Sequence, residues 1–410
     1  MAETREPVEP ESDPGDPRLV EGRSWADLCQ ALARASHRVL GEGVPDAPRD
    51  RAEGFRYLTR FLAAGIAVCV EHADPDDPVF VRMIDHKMKW GLDAPDCLYL
   101  YASVKGGARY RIHGHRGSAN HIDIQVNFGH FAQGDIASWG TIASVGGDEL
   151  RTADDGSFEL VLAAEPRSGN WLRLGPDAEF VLVRQYFADW ENERPADLVI
   201  ERLDGEGPIA PPRTDRMAAR LDGLATWIER GGALWEQMSR GLLGMPANTL
   251  VVHRPEAGAS DRAGMAGQAY GMGNFACGPD EAVILSFRPP ACRHWSVSLA
   301  NYYWESLDYE SRQSSLNHHQ ARLDRDGVFR GVIAHRDPGV ANWLDTAGHE
   351  RGTLALRFLL AAEAPAVEAR VVPWSRVRDA LPPDTATVDP DERARRLARR
   401  RRAVWRRFRR

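Results

Sequence analysis

Asp337-Pro-Gly-Val-Ala-Asn342-Trp343-Leu344-Asp345-Thr-Ala-Gly-His349-Glu-Arg-Gly-Thr-Leu-Ala-Leu-Arg357-Phe358 reads as a turn, an Asn-Trp-Leu element, a polar loop and a strand. The same order occurs earlier in the chain. Asn170-Trp171-Leu172 follows a Ser-Gly turn, and Phe180-Val-Leu-Val-Arg184 ends on the matching arginine. Upstream, Asp155-Gly156 precedes the first Asn-Trp-Leu and Asp326-Gly327 the second, at 14 and 15 positions from Gly to Asn. Trp171 lies 13 positions before Arg184, and Trp343 lies 14 before Arg357. His121 and His294 open similar strands 49 and 48 positions before their asparagines. Intervals that differ by one residue are what short loop insertions leave in a duplicated module.

Outward from this repeat, the 410-residue chain holds two or three domains. Short alternating runs broken by Gly and Asp-Gly turns predict two tandem antiparallel jelly-roll or β-sandwich modules. Strands are expected at Leu98–Val104, Arg109–His113, His121–Val126, Glu159–Ala163 and Phe180–Phe187 in the first module. In the second they run from Ala282 to about Val372. The expected organisation is a disordered acidic tail over 1–22, a helical segment over 23–72 and β module 1 over 73–204. A linker and helix over 205–245, β module 2 over 246–375 and an arginine-rich tail over 376–410 follow. Ser24 is the expected N-cap of the first helix. Phe55, Leu58, Leu62 and Ile66 are the expected buried face of the second. Met217, Leu221, Leu224, Ile228 and Leu234-Trp235 form the face of the linking helix. The Gly-, Ala- and Met-rich stretch 255–280 reads as a long loop with the composition of a lid.

Five scattered cysteines without a Cys-x-x-Cys spacing point to reduced thiols and a cytoplasmic setting, with no zinc motif and no cofactor evident. No leader pattern opens the chain, and its longest apolar run, Phe61 to Val70, is too short to span a bilayer. Residues 393–410 carry 11 arginines and no acid, so the net charge of −7 splits into +11 there and −18 elsewhere. Such a tail suits an anionic membrane, giving a peripheral location, or nucleic acid. Leu397, Val404 or Trp405, and Phe408 would form its apolar stripe. A solvated or partner-facing terminal helix is the alternative, and a homo-oligomer is a separate partner expectation.

Four groups carry candidate chemistry. Asp345 and His349, four residues apart in a loop that only the second copy elaborates, are the candidate acid/base pair. A loop ion pair with Arg351 is the alternative. Arg357 is a candidate anion anchor, and Tyr302-Tyr303-Trp304 with Asn317-His318-His319 and Trp343 a candidate pocket wall. Asn170, Trp171, Arg184 and Asn342 recur in both copies and are expected to be structural. His113 and His115, on one face of a strand, with His121 and His130 nearby, are the alternative metal ligands. Gly107 followed by His113-Gly114-His115 resembles the opening of the cupin metal motif. However, Arg116 to Asn120 stand where that motif carries a glutamate.

Asp326-Gly327, the run from Asp337 to His349, and Leu356-Arg357-Phe358 resemble the family catalogued as domain of unknown function 1214. Pro95-Asp96-Cys-Leu-Tyr99 and Tyr110 to Gly117 are similar to the N-terminal part of its bacterial members. The resemblance covers roughly 95–360 and implies an antiparallel jelly-roll fold. It implies no settled catalytic residues, and only a loose association with lipid- or steroid-like metabolism. The expected function is binding, with or without conversion, of a hydrophobic small molecule between the two modules. The alternative is a non-catalytic assembly protein held on an anionic surface by Arg393–Arg410.

Overall fold

A computed structural model describes residues 13, 15–205, 213–253 and 268–409. Four short or medium helices lead the chain: α1 (Pro17–Val20), α2 (Arg23–Ala35), α3 (His37–Leu40) and α4 (Pro48–Ile66). The first module follows as β1 (Val81–Ile84), β2 (Cys97–Ser103), β3 (Tyr110–His115), β4 (His121–Phe128), β5 (Gly140–Gly146), β6 (Ser157–Ala163), β7 (Asn170–Arg173), β8 (Ala178–Tyr186) and β9 (Asp197–Arg202). Helices α5 (Thr214–Thr226) and α6 (Gly232–Gly244) connect it to the second. That module contains β10 (Leu250–His253), β11 (Ala269–Ala276), β12 (Glu281–Phe287), β13 (His294–Ala300), β14 (Ser315–Asn317), β15 (Phe329–Ala334), β16 (Trp343–Asp345), β17 (Arg351–Leu359) and β18 (Val367–Pro373). Helix α7 (Pro390–Arg407) closes the chain.

The duplication extends to strand order. Module 1 forms a five-stranded sheet β1-β2-β8-β4-β5 and a four-stranded sheet β7-β6-β3-β9. Module 2 forms β10-β11-β17-β13-β14 and β16-β15-β12-β18, the same order with every strand replaced by its repeat equivalent. Within each module the two sheets share one apolar core. Ile122, Ile124 and Val126 meet Tyr110, Ile112, Leu160 and Leu162 in the first, and Val297, Leu354 and Leu356 meet Val283, Leu285 and Ile333 in the second. The other faces of the five-stranded sheets meet a third core that belongs to neither module alone. It joins Tyr99, Tyr101, Phe180 and Leu182 to Ala300, Ala355 and Leu359, with the helices packed around them.

The repeated Asn-Trp pair has one job in both copies. Asn170 accepts from Arg151 N (2.9 Å) and donates to Arg151 O (2.8 Å) and Glu159 O (2.9 Å). Asn342 accepts from Arg322 N (2.8 Å) and donates to Arg322 O (2.6 Å) and Arg330 O (3.1 Å). The Trp171 and Trp343 indoles donate to Ala163 O and Ala334 O. The asparagine thus fastens a passing loop to the parallel pairs β6–β7 and β15–β16.

Several helix and loop expectations need correction. The buried face of α4 is Gly54, Tyr57, Phe61 and Ala64, whereas Phe55 and Ile66 are largely exposed. The stripe is shifted because α4 presents aromatic rings to Trp90, Trp227 and Tyr303. Gly22, not Ser24, is the N-cap of α2; Ser24 is buried inside its first turn. The end of the acidic tail is ordered, since Arg18 grips Asp222 through two hydrogen bonds (2.9 and 2.8 Å) and Asp16 caps α1. The rest of that tail, most of the 205–213 linker and the first part of the 255–280 stretch lie outside the described residues. Its second part is no loop. β11 is an interior strand, and a Cβ on Gly273 would sit 2.0 Å from Thr249 O, so close strand approach dictates the glycine.

Asn342 is buried and Asn170 half-buried. An unpaired buried amide or carbonyl costs more than an exposed one. Asn342→Ala should therefore cost about 2–4 kcal/mol and Asn170→Ala about half of that. Chemical denaturation of the two variants checks the order; equal losses would refute the difference in burial as its cause.

Candidate functional site

The interior between the modules is polar on purpose-built positions. In β4, Ile122, Ile124 and Val126 face the module core, so His121, Asp123, Gln125 and Asn127 face the other module. All four are buried. In β13, His294, Ser296 and Ser298 occupy the equivalent places, also buried. Cross-strand pairing then places three residues side by side in each sheet. Tyr99 pairs with Arg184, and Arg184 pairs with Asp123, across β2, β8 and β4. Tyr270 pairs with Arg357, and Arg357 pairs with Ser296, across β11, β17 and β13. The modules carry the same Tyr-Arg trio, with aspartate in one and serine in the other.

That substitution decides the electrostatics. Arg184 Nη1 lies 3.8 Å from Asp123 Oδ2 and donates to Gln125. Burial raises the Asp123 carboxyl to about 6 against the pull of Arg184. Asp123 Oδ2 itself has no hydrogen bond. Arg357 is 4% exposed and has no carboxylate in contact among the described residues. Its guanidinium donates to Leu92 O and, at 3.3 Å, to Ser298 Oγ. Burial opposes its charge, yet the net shift is upward; Tyr99, Tyr186 and Tyr270 around it are phenols that burial raises above their ordinary value, and Asp93 is the carboxylate acting in its favour. Asp93 already serves Ser306 N and Oγ (2.8 and 2.7 Å) and faces the buried Lys89 ammonium, which burial lowers to about 8. The backbone around Arg357 is also strained. Leu92 (φ 55°) and Trp304 (φ 60°) are both left-handed and bonded to each other, Leu92 N to Trp304 O at 2.7 Å.

The candidate acid/base pair does not form. Asp345 accepts from Ala347 N (2.8 Å) and pairs with Arg312 (2.9 Å). His349 instead faces Glu53 of α4, with Nε2 at 3.0 and 2.9 Å from the two carboxylate oxygens, while Nδ1 faces Thr346 O at 2.9 Å. With Glu53 ionised, both ring nitrogens face acceptors, and only the imidazolium donates from both. Burial lowers the His349 pKa, but Glu53 outweighs it and the net shift is upward. Burial raises Glu53, and His349 brings it below the usual carboxylate range. The pair is a tie between the helical segment and module 2. Arg351, the partner expected from sequence, donates to Leu243 O instead.

The remaining candidates separate. His113 faces Glu201 at 3.2 Å, and His115 bonds Asp155 O and Gly117 N on the outer sheet. His121 lies on the inner sheet, where burial lowers it to about 4; His130, likewise lowered by burial to about 4, accepts from Ala132 N. Among the described residues no three His, Cys, Asp or Glu side chains come together as a metal site. Tyr303 and Trp304 pack against the helices, Tyr303 OH donating to Asp50 O at 3.0 Å. Asn317 is a joint, donating to Asp96 (2.7 Å), Phe187 O and Ala188 O of module 1. His318 packs edge-on against His294, 5.0 Å away, and His319 is exposed, 3.9 Å from Asp189. Trp343 supports α7 beneath Arg393, so it is not a pocket wall. What sequence reading missed is Asp123, Tyr99, Tyr186 and Tyr270; the polar residues alternating along β4 were the available signal.

The arginine tail is a packed helix. Arg393, Arg400 and Arg407 recur every seven residues and are buried. Arg393 holds Asp337 (2.9 Å) and Gln313 (2.7 Å), and Arg400 donates to Tyr309 O (2.6 Å), all in module 2. Arg407 donates to Pro95 O (2.7 Å) and lies over Phe187 and Trp190 of module 1. Val404 and Phe408 are buried, and Trp405 is on the outside with Arg402, Arg406 and Arg409. No described helix is long and apolar enough to cross a membrane.

Two copies of one double-sheet module, closed on a polar layer and strapped by a terminal helix, define a duplicated β-sandwich protein. The chain belongs to the family described as "Protein of unknown function (DUF1214)", whose profile matches residues 102–189 and 281–363, one stretch in each module. A putative uncharacterised protein from Burkholderia cenocepacia is 35% identical, with 88% of this chain and 99% of that one covered at a TM-score of 0.83. The VPA0106 protein from Vibrio parahaemolyticus is 14% identical over 83% of this chain and all of its own, with a TM-score of 0.45. No curated protein matches the chain.

The His349–Glu53 tie has a defined pH window. The raised His349 contributes fully below its ordinary value of 6.5 and is lost as pH rises through its folded value. The lowered Glu53 contributes above its ordinary value of 4.5 and is lost as pH falls through its folded value. A double-mutant cycle of Glu53→Gln and His349→Gln should give a coupling of about 1–3 kcal/mol. Denaturation should find it greatest between those two ordinary values and declining on both sides. A pH-independent coupling would exclude the ion pair.

Proposed function

We propose that the protein binds a small organic anion, a carboxylate on an apolar or ring-bearing body, between its two modules. The observation that carries this reading is Arg357, a buried guanidinium whose module-1 counterpart has Asp123 while its own sheet supplies Ser296. A buried charge without a partner is costly, and an anionic ligand would supply the partner. Tyr99, Tyr186 and Tyr270 lie around both guanidiniums, and their rings would meet the body of the ligand. Tyr270 and Met272, which alternate with the core-facing residues of β11, are half-buried. The lipid-like ligand class expected from sequence fits this chemistry, with Arg357 as its anchor.

Ser296→Asp tests the reading directly, because it copies the module-1 trio into module 2. Octanoate should raise the melting temperature of the wild type, as mass action requires of a ligand selective for the folded state. It should have little effect on Ser296→Asp, although that variant without ligand should be no less stable than wild type. Arg357→Gln should also lose the response. Native mass spectrometry of the purified protein should show a bound anion in wild type alone. An equal octanoate response in wild type and Ser296→Asp would refute the proposal.

A further inference from the structure

A second feature stands apart from the inter-module layer. A cleft of about 890 Å³ opens where the α3–α4 loop, the end of α6 and the Gly348–Arg351 loop of module 2 converge. Helix α4 begins at its wall. The N-cap is Ala47, which provides no side-chain cap, and Pro48 at N1 has no N–H. The first-turn N–H groups of Arg49 and Asp50 are therefore left without an intrahelical acceptor, at the positive end of a 19-residue helix.

Side chains add to that field. Arg49 donates to Gly348 O and Arg351 to Leu243 O, and neither makes an ion pair with a carboxylate among the described residues. Each guanidinium has five N–H donors, so most of theirs remain uncommitted. Arg240 also lines the cleft, though Glu236 already holds it at 2.8 Å. Opposing charges come from Asp50, whose carboxyl burial raises, and from the exposed Glu350. The His349 imidazolium is spent on Glu53.

An independent observation points to a ligand. Tyr302 lines the same cleft and is only 8% exposed, yet its hydroxyl has no hydrogen bond. The Arg240 guanidinium beside it can only donate to the phenol oxygen, so the hydroxyl proton is left without an acceptor. A buried hydroxyl is normally paired, so an orphan at the wall of a basic cleft is a donor waiting for an acceptor. An oxyanion there would accept from the hydroxyl, from the α4 N-terminus and from both free arginines.

We propose that this cleft is an oxyanion site that holds a phosphate group against the N-terminus of α4, on Arg49, Arg351 and Tyr302. Tetrahedral phosphate provides enough acceptor oxygens for three separate donor sets, and helix N-termini with arginines are a recurring way to hold it. The group is either free phosphate or the head of a phosphate ester, and the open side of the cleft leaves room for an esterified body.

Isothermal titration of the full-length protein with inorganic phosphate, and separately with glycerol phosphate, tests this. Binding at a Kd of about 1 mM or tighter is expected for at least one of the two. Tighter binding of the ester identifies an esterified ligand, and tighter binding of phosphate identifies the free ion. Arg49→Gln and Arg351→Gln should each weaken binding roughly 5–10-fold, and Tyr302→Phe, which keeps the ring in place, roughly 3-fold. Arg357→Gln should leave it unchanged, which separates this site from the inter-module one. Sulfate should compete, and chloride at equal ionic strength should not. Absence of phosphate binding in the folded wild type, unaltered binding in the Arg49→Gln/Arg351→Gln double variant, or equal competition by chloride would each overturn the proposal.

Discussion

A guanidinium buried between two β-sheets has to be neutralised, and the arrangement of this molecule follows from how each module meets that demand. In module 1, Asp123 sits beside Arg184 on the next strand, so the sheet carries its own counter-charge. In module 2 the same position is Ser296, and the charge of Arg357 is left to a main-chain carbonyl, a hydroxyl and a ring of tyrosines. Neutral acceptors satisfy hydrogen bonds but do not cancel charge. The difference between the two copies, Asp123 in one and Ser296 in the other, is one that packing alone does not require.

The alternation of apolar and polar residues along β4 and β13 explains how much of this was legible. A strand reading His-Ile-Asp-Ile-Gln-Val is assigned one buried and one wet face by its period of two. Here both faces are covered, since His121, Asp123, Gln125 and Asn127 are buried like the isoleucines between them. Local pattern cannot distinguish a polar face turned to water from one turned to a second module 170 residues further on. The repeat itself was legible because Asn-Trp-Leu and the Asp-Gly turns are local structures with local sequence requirements. Glu53 as the partner of His349 was not, because 296 positions separate them and only the packing of α4 on module 2 joins them.

Helix α7 shows the same limit from the other side. Eleven arginines in an acidic chain read as a surface for anions, and the heptad spacing of Arg393, Arg400 and Arg407 was hidden among them. Those three are buried because guanidinium can stack on Trp190, Phe187 and Trp343 while donating to main-chain oxygens. Their charge is paired unevenly. Arg393 has Asp337, whereas burial lowers the pKa of Arg400, to about 10, and of Arg407, with Asp96 as the first opposing charge for each. Asp96 is itself held by Trp190 and Asn317, one residue from each module. A single carboxylate thus links the terminal helix to the joint between modules.

This explains why the two modules can keep a polar layer between them at all. Face-to-face sheets usually close on apolar side chains, and a layer containing His121, Asp123, Arg184, His294 and Arg357 gains less from burial than one of leucine and valine. The closing force comes from the periphery instead. On one flank the rings of Phe61, Trp90, Phe131 and Trp227 form a continuous aromatic core against both sheets, and on the other α7 spans the joint. With closure secured at the flanks, the centre is released from having to be the most stable packing available. A joint held that way can accommodate an arginine with no carboxylate in contact among the described residues, strained residues at Leu92 and Trp304, and an unbonded carboxylate oxygen on Asp123.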